Sequence, residues 1–259
     1  MNAKGPIKDE AIVIRSIRHG ETSRIATLFT KENGKVAVIA KGARRGKSGA
    51  VGGIIETLNH IEAIIYFKAS RSVQTLGNVT TIGHFPHVKD DLVLTGYAAA
   101  VAEMLNHSFT DGEADPDVFD AAVSTLNRLE EKTLDARIIL WLFQLSLLRS
   151  IGFALDPVIC PICMKQSTPG LKNMLLLDVG AICCKDCQSE SDAGINISGE
   201  SISILRQLTN GNQTAIMRLK VSNRAKVEIT KMLERYMRHH HPGISRMPAL
   251  KMLDKFEDM

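Results

Sequence analysis

The sequence predicts an α+β protein of more than one domain. An N-terminal five-stranded OB-fold barrel is followed by an all-helical domain that carries a four-cysteine zinc-finger insert. Three observations lead there. Apolar residues recur with period two between Glu10 and Thr80 and with helical period from Asp91 onward. Two Cys-x-x-Cys pairs, Cys160/Cys163 and Cys184/Cys187, interrupt the helical part. The charge changes sign along the chain: residues 1–80 hold 13 Lys/Arg against 6 Asp/Glu, residues 81–135 hold 3 against 11, and residues 201–259 hold 11 against 5. The expected organisation is a barrel over 1–80, a linker over 81–90, and a helical domain over 91–259 with its insert at 156–192. Gly83, Pro86 and the charge reversal coincide in the linker.

Residues 1–8 read as a loose tail. Ala11–Ile17, Arg24–Thr30, Lys35–Lys41, Thr57–Lys68 and Ser72–Thr80 read as five strands. Asn33-Gly34 marks the hairpin between the second and third. Five short strands in so short a stretch suggest a small barrel. The OB-fold is the commonest such solution, and an SH3-like barrel is the alternative. Leu92–Phe109 is a helix rich in alanine and leucine. Asp115-Pro116 starts the next, with Asp as cap and Pro in the first turn. Leu134–Ile151 is apolar on nearly every face, which places it at the centre of a bundle. Ser198 and Ser222 stand where two later helices need caps, and Met247–Phe256 reads as the last helix.

Composition excludes several function classes. The chain has 259 residues, 44% of them hydrophobic, and its longest apolar run, Ile138–Leu148, is too short to cross a bilayer. No signal peptide is visible, so a soluble, intracellular protein with no membrane partner is expected. There is no G-x-S-x-G, no H-E-x-x-H and no dinucleotide-binding glycine fingerprint. No catalytic residue, and no enzyme activity, is expected.

Two stretches carry chemistry. The first is the end of the third strand and the loop after it, where Lys41, Arg44, Arg45 and Lys47 fall within seven residues among Gly42, Ala43 and Gly46. Small residues let backbone approach a ligand, and the cations favour an anionic one. A phosphate loop needs four residues between its glycines and a helix after its Lys-Ser. Here only three residues separate Gly42 from Gly46, and Gly49-Ala50-Val51-Gly52-Gly53 is a poor helix start. A polyanion backbone fits the cations better, with Arg15, Arg24 and Lys35 in support; ordinary solvated lysines are the bland alternative. Aromatic residues are only 5% of the chain, so phosphate contacts rather than base stacking would dominate. With roughly four to six contacts to a single strand, log K should fall against log salt with a slope of about −3 to −4.

The second is the cysteine quartet. In an intracellular protein this spacing reads as metal rather than disulfide. Cys160, Cys163, Cys184 and Cys187 would fill a tetrahedral Zn2+ shell and leave no position for water, so the site would be structural. Reduced core cysteines and an iron–sulfur cluster are the other readings, and Cys183 could take the place of Cys184.

The order of these features resembles the RecO family of bacterial recombination-mediator proteins. The residues that carry the resemblance are Glu10–Ile14 with Gly20-Glu21-Thr22-Ser23, Ala40–Arg45 with Lys47-Ser48, Phe143–Leu148 with Gly152-Phe153, and Gly180-Ala181-Ile182 running into the second cysteine pair. Gly49 and Glu56-Thr57 depart from the family pattern, which often has a basic residue and Pro-Phe there. The resemblance implies binding of single- and double-stranded DNA, annealing of complementary strands, and a cytoplasmic, nucleoid-associated role in DNA repair and recombination. It implies partnership with RecR, contact with the acidic tail of single-strand binding protein, and help in loading RecA, with RecF as a further partner. Arg137 and Arg149 are the candidates for contact with that tail. The alternative reading is a zinc-stabilised protein–protein adaptor whose DNA binding is incidental.

Overall fold

The computed structural model describes residues 5–43, 49–167, 173–189, 194–241, 243 and 247–257. The chain divides into two compact units, Met1–Lys132 with Arg246–Met259, and Thr133–Ser245.

The first unit is built on a closed barrel of β1 (Pro6–His19), β2 (Ser23–Thr30), β3 (Gly34–Ala40), β4 (His60–Tyr66) and β5 (Gln74–Gly83). The strands close in the order β1-β2-β3-β5-β4, with the β3–β5 pair parallel and the other pairs antiparallel. This is the expected five-stranded barrel. β1 begins at Pro6 rather than after a loose tail, because Pro6–Ile12 pairs along the length of β4. A register shift between Val13 and Arg15 interrupts the pairing of β1 with β2, which runs from Ala11 to His19. Such a bulge bends a strand and allows it to serve two neighbours at a barrel corner. Alternation sends Val13, Leu28, Val38, Ala63 and Ile65 inward, all fully buried. Alanines at 11, 26, 40 and 63 offset the larger Leu28, Ile61 and Ile65, which is how a narrow barrel is filled.

α1 (Gly49–Ile54) lies in the glycine-rich stretch that reads as a poor helix start. Tertiary contacts override the weak propensity there. Val51 and Ile54 pack against the barrel core, and Ile55 is fully buried within it. The Asn59 amide donates to the carbonyls of Gly53 and Ile54 at 3.0 and 2.9 Å. At Gly52 a Cβ would stand 2.7 Å from the Ala43 carbonyl oxygen, so the helix closes on the chain only with glycine at that position.

On the outer barrel face Ile12 and Phe29 are also buried, and the Phe29 ring lies 5.0 Å from Phe109 and 6.5 Å from Phe119. Those rings belong to the helical layer of the same unit: α2 (Pro86–Asp90), α3 (Leu92–Ser108) and α4 (Pro116–Glu131). Asp91 caps α3 and Asp115 caps α4 through side-chain acceptors. α9 (Pro248–Glu257) returns to this unit and packs on α3, where Leu253 closes over Gly96.

The second unit holds α5 (Ala136–Ser150), α6 (Gly199–Thr209), α7 (Gln213–Met217) and α8 (Asn223–His240). α5 is buried along most of its length, as its all-round apolar pattern predicts. Its Trp141 indole donates to Thr230 on α8 at 3.2 Å. Ser198 and Ser222 accept from Ser201 N and Ala225 N, the expected caps. A small sheet of β6 (Asn173–Leu176), β7 (Ala181–Cys183) and β8 (Gly194–Ile197), ordered β7-β6-β8, lies partly in the insert and extends past its expected end at 192. The sequence reading has only turns there, because strands of three or four residues are too short for a periodic pattern.

Candidate metal centre and basic barrel end

The antiparallel pairing of β1, β2 and β3 brings the end of β1, the start of β2 and the end of β3 to one end of the barrel. Arg18 stands opposite Arg24, and Arg24 opposite Ala40, with Lys41 next in the chain. Arg15 pairs with Thr27 on the other face of the same hairpin. Arg15, Arg18 and Lys41 are exposed. Arg24 is half-buried and donates from Nε to Ser16 Oγ at 3.1 Å, which fixes its direction. Arg44, Arg45 and Lys47 lie outside the described residues.

Lys35 stands at the opposite end of β3. Its Nζ donates to the Asn106 carbonyl at 2.9 Å and lies 3.8 Å from the Asp111 carboxylate, with the side chain only 15% exposed. The structure therefore gathers Arg24 and Lys41, with Arg15 on the flank, and leaves Lys35 in a separate place. Arg18 is the residue that sequence reasoning missed. Its signal is its position across the hairpin from Arg24.

In the second unit the four cysteines named by spacing converge. Their sulfurs all lie within 4.8 Å of one another, and Cys163 Sγ is 3.8 Å from Cys184 Sγ. Metal–sulfur bonds of about 2.3 Å in a tetrahedron require sulfurs about 3.8 Å apart. The donor set fits a metal ion without rearrangement. Cys183 is excluded from the cluster: it is fully buried on β7, opposite Met174.

Local backbone explains the convergence. Met164 N donates to the Cys160 carbonyl at 3.0 Å and Cys187 N to the Cys184 carbonyl at 3.0 Å, so each pair sits on a tight turn. Asp156 N donates to the Gly180 carbonyl and Ile182 N to the Asp156 carbonyl, which joins the two turns. Burial opposes ionisation of Cys160. The amides of Cys163, Cys184 and Ile162 outweigh it and bring that thiol down to about 6. Hydrogen bonding with Cys184, followed by burial, pushes the Cys187 thiol up, since neighbouring sulfurs cannot all ionise without a cation. A bound cation would relieve that conflict, because the thiolate is the ligating form.

Arg206 on α6 is a further residue invisible to motif reading. Its guanidinium donates to the carbonyls of Pro157 at 3.0 Å and Val158 at 3.4 Å, to Ser167 Oγ at 2.7 Å and to the Ser167 carbonyl. It braces the loop that carries Cys160 and Cys163. Arg206→Lys keeps the charge and loses the planar fork. The expected result is roughly tenfold faster metal loss to a chelator, with the cysteines intact, as for other supporting shells. The check is a colourimetric release assay on both proteins.

The fold and these two sites define a barrel-and-bundle protein with a four-cysteine cluster that fits a metal ion and with cations at one end of the barrel. Family models described as "Recombination protein O N terminal" and "Recombination protein O C terminal" match residues 1–85 and 89–246. The chain belongs to the RecO family. It is 30% identical over 223 residues to DNA repair protein RecO of Desulfitobacterium hafniense (strain DSM 10664 / DCB-2), covering 85% of this chain and 80% of that one. It is 29% identical over 253 residues to DNA repair protein RecO of Bacillus pumilus (strain SAFR-032), covering 98% and 95%. A third relative, DNA repair protein RecO of Salinibacter ruber (strain DSM 13855 / M31), is 28% identical over 241 residues, covering 92% and 90%. Among the described residues no helix is long and apolar enough to cross a membrane.

Proposed function

We propose that this chain is a non-enzymatic mediator of DNA repair and homologous recombination. It binds single- and double-stranded DNA, anneals complementary strands, and acts with RecR in loading RecA, in the cytoplasm at the nucleoid. RecF and the acidic tail of single-strand binding protein are its further partners. The observation that carries the reading is that the family match spans both units while strand pairing sets Arg18, Arg24 and Lys41 at one end of the barrel. Arg44, Arg45 and Lys47 follow directly in the chain. The barrel supplies cations for phosphates, and the chemistry of annealing is charge neutralisation: two strands repel, and a basic surface lowers the repulsion while they pair. The metal is zinc, and it cross-links the insert rather than taking part in a reaction.

The test is fluorescence anisotropy on a labelled single-stranded oligonucleotide over a salt series. Lys41→Glu/Arg44→Glu/Arg45→Glu is expected to weaken binding about a hundredfold at moderate salt. The slope of log K against log salt should lose about 2, since each lost phosphate contact on a single strand removes about 0.7. An unchanged slope would sink the barrel as the DNA site.

A further inference from the structure

We infer that α8 carries a second polyanion-binding surface, which takes the phosphate backbone of a second DNA strand while the barrel holds the first. The inference rests on the DNA-binding reading of the barrel and adds where the other strand goes.

The exposed positions of α8 include Arg224, Val227, Lys231, Arg235 and Arg238. Their spacing of 3, 4, 4 and 3 residues draws one stripe along one face, about 21 Å long at about 1.5 Å per residue. Arg218 and Lys220, also exposed, lie just before the helix. Among the described residues, Arg224, Lys231 and Arg235 have no carboxylate partner. Arg238 is paired with Glu234 at 3.0 Å, and Glu234 is nearly buried. The other acid of this helix, Glu228, is turned away, with its carboxylate on Ser198 and Ser201.

Helix stability accounts for Arg238, a cation in the last turn, but not for the rest of the stripe. The first turn of α8 contains Arg224 and no acidic residue, which opposes the helix dipole. An ordinary solvated helix mixes signs, with opposite charges four residues apart. In the first unit, the exposed face of α4 instead presents Asp117, Asp120 and Glu131. Four of the five Lys/Arg of α8 thus lie on one exposed face, while Lys226 is turned off it onto Asp135. A linear row of cations, three of them unpaired, with no exposed Phe, Tyr or Trp among them suits a phosphate backbone read without regard to base sequence. Two basic surfaces on one chain let a single molecule hold both strands that it anneals.

The experiment uses the whole chain and two non-complementary single-stranded oligonucleotides, one carrying an energy-transfer donor and the other an acceptor. The chain is present at one molecule per donor strand. Arg224→Gln/Lys231→Gln/Arg235→Gln is compared with the wild type and with the barrel variant. In the α8 variant, first-strand affinity is expected to stay within about twofold. Acceptor-strand binding should weaken about tenfold or more, and the annealing rate of complementary strands should fall by a similar factor. Acceptor-strand binding equal to wild type overturns the inference. A barrel variant with undiminished first-strand binding overturns the barrel reading instead, so the two failures are distinct. Unchanged circular dichroism and melting separate loss of the surface from loss of the fold.

Discussion

Cys160→Ser/Cys187→Ser is expected to purify without metal, while the wild-type chain yields one equivalent of zinc per molecule by elemental analysis. Removing one ligand from each pair leaves two thiolates, too few to close a tetrahedral shell. The effect should reach well beyond the insert. Cys160 and Cys183 are both fully buried, and the first turn is tied by Arg206 to α6. Without the ion, thiols within 4.8 Å of one another must share protons in a part-buried site. The second unit also has its own apolar core around α5 and α8, so it loses stability rather than its fold. A loss of about 3 kcal/mol, or about 10 °C in the melting temperature of that unit, is the expected scale. A chelator should reproduce the shift in the wild type and leave the double variant unmoved. Equal zinc in both proteins would show that the cysteine cluster is not the metal site.

Why the quartet is legible in the sequence and Arg206 is not is a matter of range. Four cysteines at two-residue spacing declare a tetrahedral ligand set by themselves, and each pair sits on a turn closed by a local hydrogen bond. Arg206 is 39 residues from Ser167 and reaches it only through the packing of α6, so no local pattern announces it. The same division runs through the fold. The caps at Asp115, Ser198 and Ser222 are local side-chain-to-amide bonds and are readable. α1 is not, because its glycine-rich sequence is held helical by Ile55 inside the barrel and by Asn59. The start of β1 at Pro6 depends on β4, more than fifty residues later. The basic barrel end is readable as composition, but strand pairing decides its membership. Pairing adds Arg18 across from Arg24 and sets Lys35 apart against Asn106.

That position of Lys35 also explains how the barrel is tied to its helical layer. The strand end that carries it is docked on residues 110–114: Gly112 N donates to the Lys35 carbonyl at 2.9 Å, and Lys35 bridges Asp111. Gly34 sits beneath this contact. Its φ is +65°, in the left-handed region that glycine enters without strain, and a Cβ there would stand 2.1 Å from the Glu113 carbonyl oxygen.

Gly34→Val therefore combines two penalties. A β-branched residue at positive φ costs on the order of 1–3 kcal/mol. The clash is with backbone, which cannot swing aside as a side-chain tip can, so the hairpin must also lift from residues 111–114. Lifting it would pull Lys35 from the Asn106 carbonyl and loosen Phe29 from Phe109 and Phe119. The expected sum is about 4 kcal/mol of lost stability in the first unit, measured by urea denaturation. Gly34→Ala meets the same carbonyl with less strain from φ and should lose slightly less. Gly42→Ala is the control: its φ is +67°, but nothing lies within 4 Å of its Cβ position. It should cost about 1 kcal/mol from backbone strain alone. If Gly34→Val and Gly42→Ala proved equally mild, the docking of β3 on residues 111–114 would not be holding the barrel to its helices.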